Sequence, residues 1–274
     1  MRRADRQPKK MKPVTASVRH VTLLVLLFAA AMSAYGWTFT PMVAEIELDD
    51  GQPRLTYTIS NDSSRPIAVQ ISVARREISV DGEESREPAD EMLAYPSQLV
   101  VAGGETRTVI VEWSGSQTEV EIPYRVIAEQ VPVEFGDDPE ARARIKMNLR
   151  YVTSLYVRPP ETSPNPEVLE SVVAELPEGV QIGGRNGEGA SADEGPYARV
   201  VVENRGDSRL NLEEVSYGLG AMGSTQAEAV VEPAETSAPV GVILPGGRRR
   251  IYLRLPERYS SLEAGTPVAV TVTQ

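Results

Sequence analysis

From residue 37 onward, apolar and polar residues alternate in short runs, and little recurs at the spacing of a helix. Glycine, proline, asparagine and aspartate separate these runs about every 8 to 12 residues. Alternation places every second side chain on one face of a strand, which suits a sheet that buries that face. The pattern therefore predicts an all-β fold, either a sandwich or a barrel. The clearest predicted strands in the first half cover residues 55–60, 67–74, 106–113, 124–133 and 145–157.

A proline-rich segment divides the chain into two parts. Four prolines occur within residues 159–166, and proline cannot donate to a sheet ladder, so this segment predicts a stiff, extended connector. We predict an N-terminal domain at residues 37–159, a connector at 160–166 and a C-terminal β-sandwich domain at 167–274. In the second part, strand-like runs cover residues 198–203, 210–217, 250–255 and 267–273.

Residues 1–36 have the order of a secretory signal peptide. Basic residues between Arg2 and Arg19 precede an apolar stretch at 21–32, which is too short to cross a bilayer as a stable helix. Ala34 and Gly36 are the small residues that a signal peptidase reads, and they place cleavage before Trp37. An uncleaved N-terminal anchor is the alternative. After cleavage we expect no stable membrane insertion.

The charge of the secreted chain argues against nucleic acid as a partner. The leader holds seven Lys and Arg residues and one Asp, so its removal takes the formal net charge from −11 to −17. A protein this acidic repels polyanions, including nucleic acid and anionic lipid.

The amino-acid composition excludes most common catalytic designs. Cysteine is absent, and the one histidine, His20, belongs to the predicted leader. Serine–histidine triads, cysteine nucleophiles and histidine-based metal sites are therefore not available. Serine–lysine or two-carboxylate chemistry stays open, but no spacing points to either. We predict a protein that is not an enzyme and that uses no cofactor and no metal.

Several segments of the first half carry a resemblance to a known family. In chain order they are Phe39-Thr40-Pro41, Ile59-Ser60-Asn61, residues 95–101 with 103–109, residues 124–133, and residues 145–151 with 155–159. This series resembles the N-terminal domain of the PapD-like periplasmic chaperones of the chaperone–usher pilus pathway, and more closely their divergent, archaic branch. The match covers residues 37–160 well and the rest weakly.

The resemblance implies a fold, a function and partners. It implies two immunoglobulin-like β-sandwich domains in a boomerang arrangement, located in the periplasm of a Gram-negative bacterium. It implies a chaperone that binds pilin or fimbrial subunits without ATP and delivers them to an outer-membrane usher. A free chaperone of this kind is expected to cover its binding strand, which makes a self-capping homo-oligomer an open alternative. A secreted structural or adhesive protein with tandem immunoglobulin-like domains is the rival hypothesis.

The predicted strand at 145–157 is longer than a small sandwich needs. Its apolar face is formed by Ile145, Met147, Leu149 and Tyr151. The resemblance implies that these residues complete the fold of a subunit by donor-strand complementation. The alternative is that they pack in the core of their own domain.

The resemblance also implies charged sites. Two cations commonly bind the C-terminal carboxylate of the subunit, but their positions correspond here to Val43 and Ser154. The possible substitutes are Arg107, Arg125, Lys146 and Arg150. An interdomain set of ion pairs is expected from Arg158, Glu129 and Glu263.

Overall fold

The computed structural model describes residues 36–48, 51, 53–133, 148–183, 195–220, 227–238 and 240–274. Within these ranges the chain forms β-strands and a few single 3-10 turns, and no α-helix. Two hydrophobic cores share no residue, one built between Trp37 and Val157 and the other between Val173 and Val268. The prediction of an all-β protein with two β-sandwich domains is confirmed. Residues 1–35 of the predicted leader lie outside the described residues.

The first domain consists of two facing sheets. In the described part of the domain, one sheet is antiparallel, with strands in the order β1 (Trp37–Thr40), β3 (Arg54–Asn61), β8 (Thr106–Trp113) and β6 (Met92–Tyr95). The second sheet has the order β2 (Val43–Glu47), β10 (Arg150–Arg158), β9 (Ile122–Val131), β4 (Ile67–Ile78) and β5 (Glu84–Pro88), and β7 (Gln98–Val101) also pairs with β4. This second sheet, with six strands, is called the six-stranded sheet below.

Alternating burial explains why these segments form strands. In β8, Val109, Val111 and Trp113 are buried, while the residues between them are exposed. Phe39 stacks on Tyr57 in the same core, with ring centroids 4.7 Å apart. Each large apolar side chain that becomes buried stabilises the fold by about 1.5–3 kcal/mol. The buried faces of the two sheets therefore supply the main stabilisation of this domain.

The second domain is built from shorter strands. Its largest described sheet has the order β11 (Pro166–Ala174), β12 (Tyr197–Asn204) and β17 (Arg248–Arg254). The other pairings are β13 (Leu210–Asn211) with β16 (Val242–Ile243), and β14 (Ser216–Gly220) between β15 (Ala229–Val231) and β18 (Ala269–Thr273). Val200, Tyr217 and Leu253 lie at the centre of the second core.

The predicted run at 210–217 is not one strand. A 3-10 turn at Leu212–Glu214 separates β13 from β14. Strict alternation from Leu210 would have pointed Glu214 into the core. The turn shifts the register instead, so that Leu212 and Val215 are both buried and Glu214 stays exposed.

A buried asparagine organises one end of each domain in the same way. The Asn61 side chain donates to the Arg65 and Val101 carbonyls at 2.7 and 3.0 Å, and the Gly104 N–H donates to its backbone carbonyl. Asn204 makes the corresponding contacts in the second domain, where its side chain donates to the Ser208 and Ile243 carbonyls and its carbonyl accepts the N–H of Gly246. Both asparagines end a strand and have no exposed surface. Buried polar groups of this kind are costly unless they are hydrogen-bonded.

Candidate functional site

Among the described residues, the first half of β10 is unpaired on one edge, which is called its free edge below. One side of this strand pairs with β9 along the strand. The other side pairs with β2 only from Ser154 onward, where the Ser154 N–H donates to the Met42 carbonyl at 2.9 Å. At residues 150–153, no strand among the described residues pairs with that second side. An unpaired edge is a template on which another strand can add.

The backbone groups of Arg150 and Val152 point to this free edge. In a strand, the N–H and C=O groups of successive residues point to alternate sides. The Leu149 carbonyl accepts the N–H of Gln130 on the β9 side at 3.0 Å, and Ser154 bonds on the β2 side. Residues 150 and 152 therefore present their N–H and C=O groups on the unpaired side.

The predicted donor residues are only partly described. Ile145, Met147 and the neighbouring Lys146 lie outside the described residues. Leu149 and Tyr151 are half-buried and pack against the first core. The Tyr151 ring meets Trp37 edge to face, with centroids 4.6 Å apart, and its hydroxyl donates to the Trp37 carbonyl.

A row of outward-facing residues crosses the six-stranded sheet at Ser154. Ser154 is the register partner of Val43 on β2 and of Arg125 on β9. Val43 and Ser154, the two positions where the resemblance implies cations, are therefore neighbours. Nη1 of Arg125 donates to the Ser154 hydroxyl at 2.5 Å. A guanidinium from the adjacent strand thus contacts one of these two positions.

Three arginines surround one carboxylate beside this row, and we call Arg76, Arg86, Arg125 and Glu84 the arginine cluster. Arg125 donates from Nε to both Glu84 oxygens at 3.1 Å and from Nη2 to Oε2 at 2.5 Å. Arg86 donates from Nε to Oε1 at 2.6 Å. Nε of Arg76 lies 2.7 Å from Oε2 in an ion pair, without the alignment of a hydrogen bond. The cluster therefore carries a surplus of two positive charges.

The strand register explains why these charges meet. Arg76 on β4 and Arg86 on β5 are directly opposed, and like charges in that position repel each other. Glu84 lies two residues before Arg86 and faces the same side of the sheet. Its carboxylate therefore lies between the two guanidinium groups and reduces their repulsion.

The arginine cluster keeps Glu84 ionised. Burial raises the pKa of Glu84, but hydrogen bonds from Arg125 and Arg86 outweigh it and lower the pKa to about 2. The pKa of Arg76 is lowered, first by burial and then by repulsion from Arg125. Positive charge in this cluster is therefore not fully compensated by the one carboxylate.

A second group of charges joins the two domains, and we call Arg158, Arg209, Glu45 and Glu121 the interdomain network. Arg209 donates from Nη1 to Glu121 at 2.6 Å and from its backbone N–H to the same carboxylate at 3.1 Å. It also pairs with Glu45 on β2, and its guanidinium lies 3.8 Å from the centre of the Tyr156 ring. Nη1 of Arg158 lies 3.6 Å from Glu45. This network contains two cations and two carboxylates.

Burial and pairing act against each other in the interdomain network. The Glu121 side chain has no exposed surface, and burial raises its pKa against the attraction of Arg209. Burial also acts to raise the pKa of Glu45, but Arg209 and Arg158 outweigh it and lower that pKa. Arg209 is therefore the main compensation for a carboxylate that water does not reach.

The hairpin between β4 and β5 makes another contact between the domains. The Arg250 N–H on β17 donates to the Val80 carbonyl at 2.7 Å, and its side chain pairs with Asp81. Gly82 has φ +89° and lies against the guanidinium of Arg249, so that a Cβ atom there would require this side chain to move. The tip of this hairpin is therefore fixed against the second domain.

Residues 39–163 match the family model described as the pili and flagellar-assembly chaperone, PapD N-terminal domain. The first domain of this chain is therefore a PapD-like domain of the assembly-chaperone family. No curated protein matches this chaperone in sequence. The predicted family is confirmed, while the assignment to the archaic branch stays a prediction.

Two solved structures show how far the fold of the chaperone extends. The class 5 fimbriae chaperone CfaA is 11% identical, with a TM-score of 0.54 over 87% of this chain and 99% of that chain. A chain of the chaperone–tip adhesin complex for activation of CFA/I fimbriae biogenesis is 12% identical, with a TM-score of 0.52 over 86% of this chain and 98% of that chain. At this identity the likeness shows the fold alone, and it extends beyond the first domain.

The structure of the chaperone separates most of the predicted carboxylate contacts. Arg125 lies beside Ser154, but it already binds Glu84. Arg107 lies on β8 in the other sheet and pairs with Glu105 at 2.9 Å.

The remaining contact, Arg150, is exposed at the start of β10. Its Nε lies 3.6 Å from a carboxylate oxygen of Glu129. Ser154 lies four residues further along this strand, which is about 13 Å. Arg150 therefore does not belong to the row at Ser154.

The predicted ion pairs among Arg158, Glu129 and Glu263 are wrong as a set. β9 and β10 are antiparallel, so Glu129 lies opposite Arg150, at the end of β10 away from Arg158. Glu263 lies in an exposed turn before β18, where its backbone carbonyl accepts a hydrogen bond from Thr266. Arg158 does pair with a carboxylate, but this is Glu45.

The structure brings together charged residues that the sequence did not single out. These are Arg76, Arg86 and Glu84 in the arginine cluster, and Arg209, Glu45 and Glu121 in the interdomain network. Asp81-Gly82 between two polar runs is a hairpin signal that predicts β4 and β5. No comparable local signal exists for Arg209, because its partners lie 88 and 164 residues away in the chain.

The described ranges hold no group of three or more acidic or histidine side chains that could bind a metal ion. None of the helical segments in those ranges has the length and apolar character that a bilayer-spanning helix needs.

Proposed function

We propose that this chaperone binds pilin or fimbrial subunits in the periplasm by donor-strand complementation and passes them to an outer-membrane usher. The free edge of β10 carries the proposal, because it offers unpaired backbone groups on a strand of a PapD-like domain. Strand addition gains affinity from main-chain hydrogen bonds and specificity from pockets for alternate side chains. A similar solved chain comes from a complex with a tip adhesin, which supports subunits of this class as partners.

The donor strand runs through Ile145, Met147, Leu149 and Tyr151 in this proposal. Leu149 and Tyr151 are half-buried against the first core, so they offer a subunit only the exposed part of their side chains. Each large apolar side chain that a subunit buries contributes about 1.5–3 kcal/mol, so no nucleotide is required. A free apolar edge also promotes association between copies. We therefore expect the unliganded chaperone to form a homo-oligomer that dissociates when a subunit binds.

Arg125 is the proposed contact for the C-terminal carboxylate of the subunit. Its guanidinium contacts Ser154, which is the register partner of Val43, and this position supports the role. A planar guanidinium binds a carboxylate through two parallel hydrogen bonds. The position lies next to the point where the free edge of β10 ends and β2 begins. A subunit strand on that edge would bring its terminus to Arg125.

The test is co-purification from the periplasm with a pilin subunit encoded beside the chaperone. We expect a stable complex with wild type, and at least about a tenfold loss with Met147→Asp, from burial of a charge in an apolar groove. Leu93→Asp is the matched control, because Leu93 is 60% exposed on β6 in the other sheet.

Two results would overturn the proposal. One is a folded Met147→Asp variant, judged by circular dichroism, that still retains the subunit. The other is a wild-type chaperone that retains no subunit encoded nearby, which would favour a structural or adhesive protein of tandem immunoglobulin-like domains.

A further inference from the structure

We propose that Glu84 is an internal ligand of the arginine cluster, and that a ligand carboxylate takes the Nε–Nη2 edge of Arg125 only by displacing it. The inference rests on the proposed function in taking Arg125 as the carboxylate contact. In this arrangement Glu84 sets both the affinity of the site and its preference for a charged ligand.

The Nε–Nη2 edge of Arg125 is already occupied by a carboxylate. Its Nε and Nη2 form the bidentate fork, and both donate to Glu84. The remaining Nη1 donates to Ser154 at 2.5 Å. Since the fork geometry of a guanidinium matches one carboxylate, a ligand cannot use it while Glu84 occupies it.

Glu84 has an alternative partner when it leaves Arg125. Arg86 is two residues away on the same face of β5 and donates to Oε1 of Glu84 at 2.6 Å. The Arg86 side chain is 35% exposed, against 10% for Arg76 and 16% for Arg125. A rotation of Glu84 toward Arg86 therefore moves its charge outward and keeps it paired.

The charge of the cluster favours entry of a second anion. With Glu84 alone, three guanidinium groups leave a surplus of two positive charges, and a ligand carboxylate reduces this surplus to one. Arg76 gains most, because burial and repulsion by Arg125 lower its pKa and its Nε has no aligned acceptor. The ligand carboxylate would lie between Arg76 and Arg125, the two less exposed cations.

The exchange needs no movement of the backbone. The tip of the β4–β5 hairpin is fixed to β17 through the contacts of Val80 and Asp81 with Arg250. Glu84 follows this tip directly and pairs with β4 opposite Ile78. Only the side chain of Glu84 has to rotate, so the site can open while the domains stay in place.

Glu84 also makes the site selective for a charged ligand. An uncharged amide would have to displace a carboxylate that three arginines hold, and it offers them no negative charge in return. A free carboxylate replaces the displaced charge. Glu84 is thus a specificity-determining residue, since a subunit that ends in a free carboxylate is preferred over one that is blocked.

The experiment is a titration of the secreted protein with sodium acetate, followed through the Nε–H signals of arginine in NMR spectra. Sodium chloride at equal ionic strength is the reference. Glu84→Gln keeps the shape of the side chain and removes the charge. The matched control is Glu129→Gln, which removes the same charge from the same sheet, where Glu129 pairs with the exposed Arg150.

We expect Glu84→Gln to bind acetate about tenfold more tightly than wild type, or tighter still. Glu129→Gln should bind acetate as wild type does. Arg86→Gln should weaken acetate binding severalfold in the wild-type background, although Arg86 does not contact acetate, because displaced Glu84 loses its alternative partner. The Arg86 side chain is exposed, so Arg86→Gln is expected to fold and tests the proposal even where Glu84→Gln does not fold.

Equal acetate affinity of Glu84→Gln and wild type, or an unchanged affinity in Arg86→Gln, would overturn the inference. The titration uses no pilin, so its outcome is separate from that of the proposed function. A chaperone that retains subunits but shows no effect of Glu84 would refute this inference alone.

Discussion

The arginine cluster and the interdomain network lie side by side on one face of the six-stranded sheet, yet their charges are balanced differently. The hydroxyl of Tyr156 accepts a hydrogen bond from Arg76 at 3.2 Å, and Arg209 lies over its ring, so the two groups share this residue. The cluster has three cations for one carboxylate, and the network has two for two.

The difference in balance corresponds to a difference in role. In the interdomain network every charge has a partner, and Glu121 has no exposed surface, so the removal of one partner leaves an isolated buried charge. In the arginine cluster, the removal of one cation relieves repulsion. Balanced charges thus join the two domains, whereas the surplus of positive charge in the arginine cluster is what the proposed ligand carboxylate would reduce.

The largest expected effect is that of Arg209→Met. The substitution leaves Glu121 buried without its cation, which costs about 3 kcal/mol in stability. The measurement is the free energy of unfolding in urea at neutral pH. Methionine keeps much of the length of the side chain and leaves no large cavity. The loss of unfolding free energy therefore measures the effect of the missing charge.

Arg205→Met is the control for that substitution. Arg205 lies four residues away in the same domain and pairs with Glu167 and Glu203, and its side chain is 52% exposed. Exposed pairs contribute little, so we expect the stability to change little. Equal losses in the two variants would contradict the role assigned to the interdomain network.

The strands β3 and β8 could be predicted because each has one buried face, whereas β5 has no buried residue and was not predicted. In β8 the alternation of Val109, Val111 and Trp113 with polar residues is visible in the sequence, and the burial follows it. The second domain has shorter strands, and the 3-10 turn after Asn211 breaks the alternation there. A local pattern predicts a strand only as far as its register continues.

The charged sites could be predicted only in part. The resemblance identified Val43 and Ser154 as related positions, and the structure places them in register. The resemblance did not select one of the four possible substitutes for the missing cations. The contact of Arg125 with Ser154 depends on β9 lying beside β10, and the sequence alone does not show this pairing. Such contacts are set by the pairing of strands that are distant in the chain. Alternation along one strand carries no information about which strands pair.

The arginine cluster illustrates the same limit. Its cations come from β4, β5 and β9, and the Glu84 carboxylate lies 41 residues from Arg125 in the chain. Each residue alone has the appearance of an ordinary surface charge. The surplus of positive charge becomes visible only when the strand order and register are known.

An intermediate effect is expected in the pH dependence of stability. The pKa of Glu84 is about 2 in the folded protein and 4.5 in the unfolded chain. Between these values the unfolded chain binds more protons, so the contribution of Glu84 to stability is complete above pH 4.5 and is lost as the pH falls toward 2. In Glu84→Gln this part of the acid sensitivity should disappear.

Urea unfolding of wild type and Glu84→Gln between pH 2 and 6 measures this difference. The stability of wild type should fall more steeply below pH 4.5 than that of the variant. Glu129→Gln serves again as the control, since its carboxylate is 57% exposed and should leave the slope unchanged. Parallel curves for wild type and Glu84→Gln would show that the arginine cluster does not hold an ionised Glu84.

The smallest effect is expected from Arg76→Met, the counterpart of Arg209→Met in the arginine cluster. Glu84 keeps its hydrogen bonds from Arg125 and Arg86, and repulsion from a buried cation is removed. The substitution therefore leaves no buried carboxylate without a cation, so we expect a change in unfolding free energy within about 1 kcal/mol. A loss as large as that of Arg209→Met would mean that the arginine cluster is balanced after all. Acetate binding should weaken in the same variant, because Arg76 is one of the two cations left for a ligand once Glu84 has turned toward Arg86.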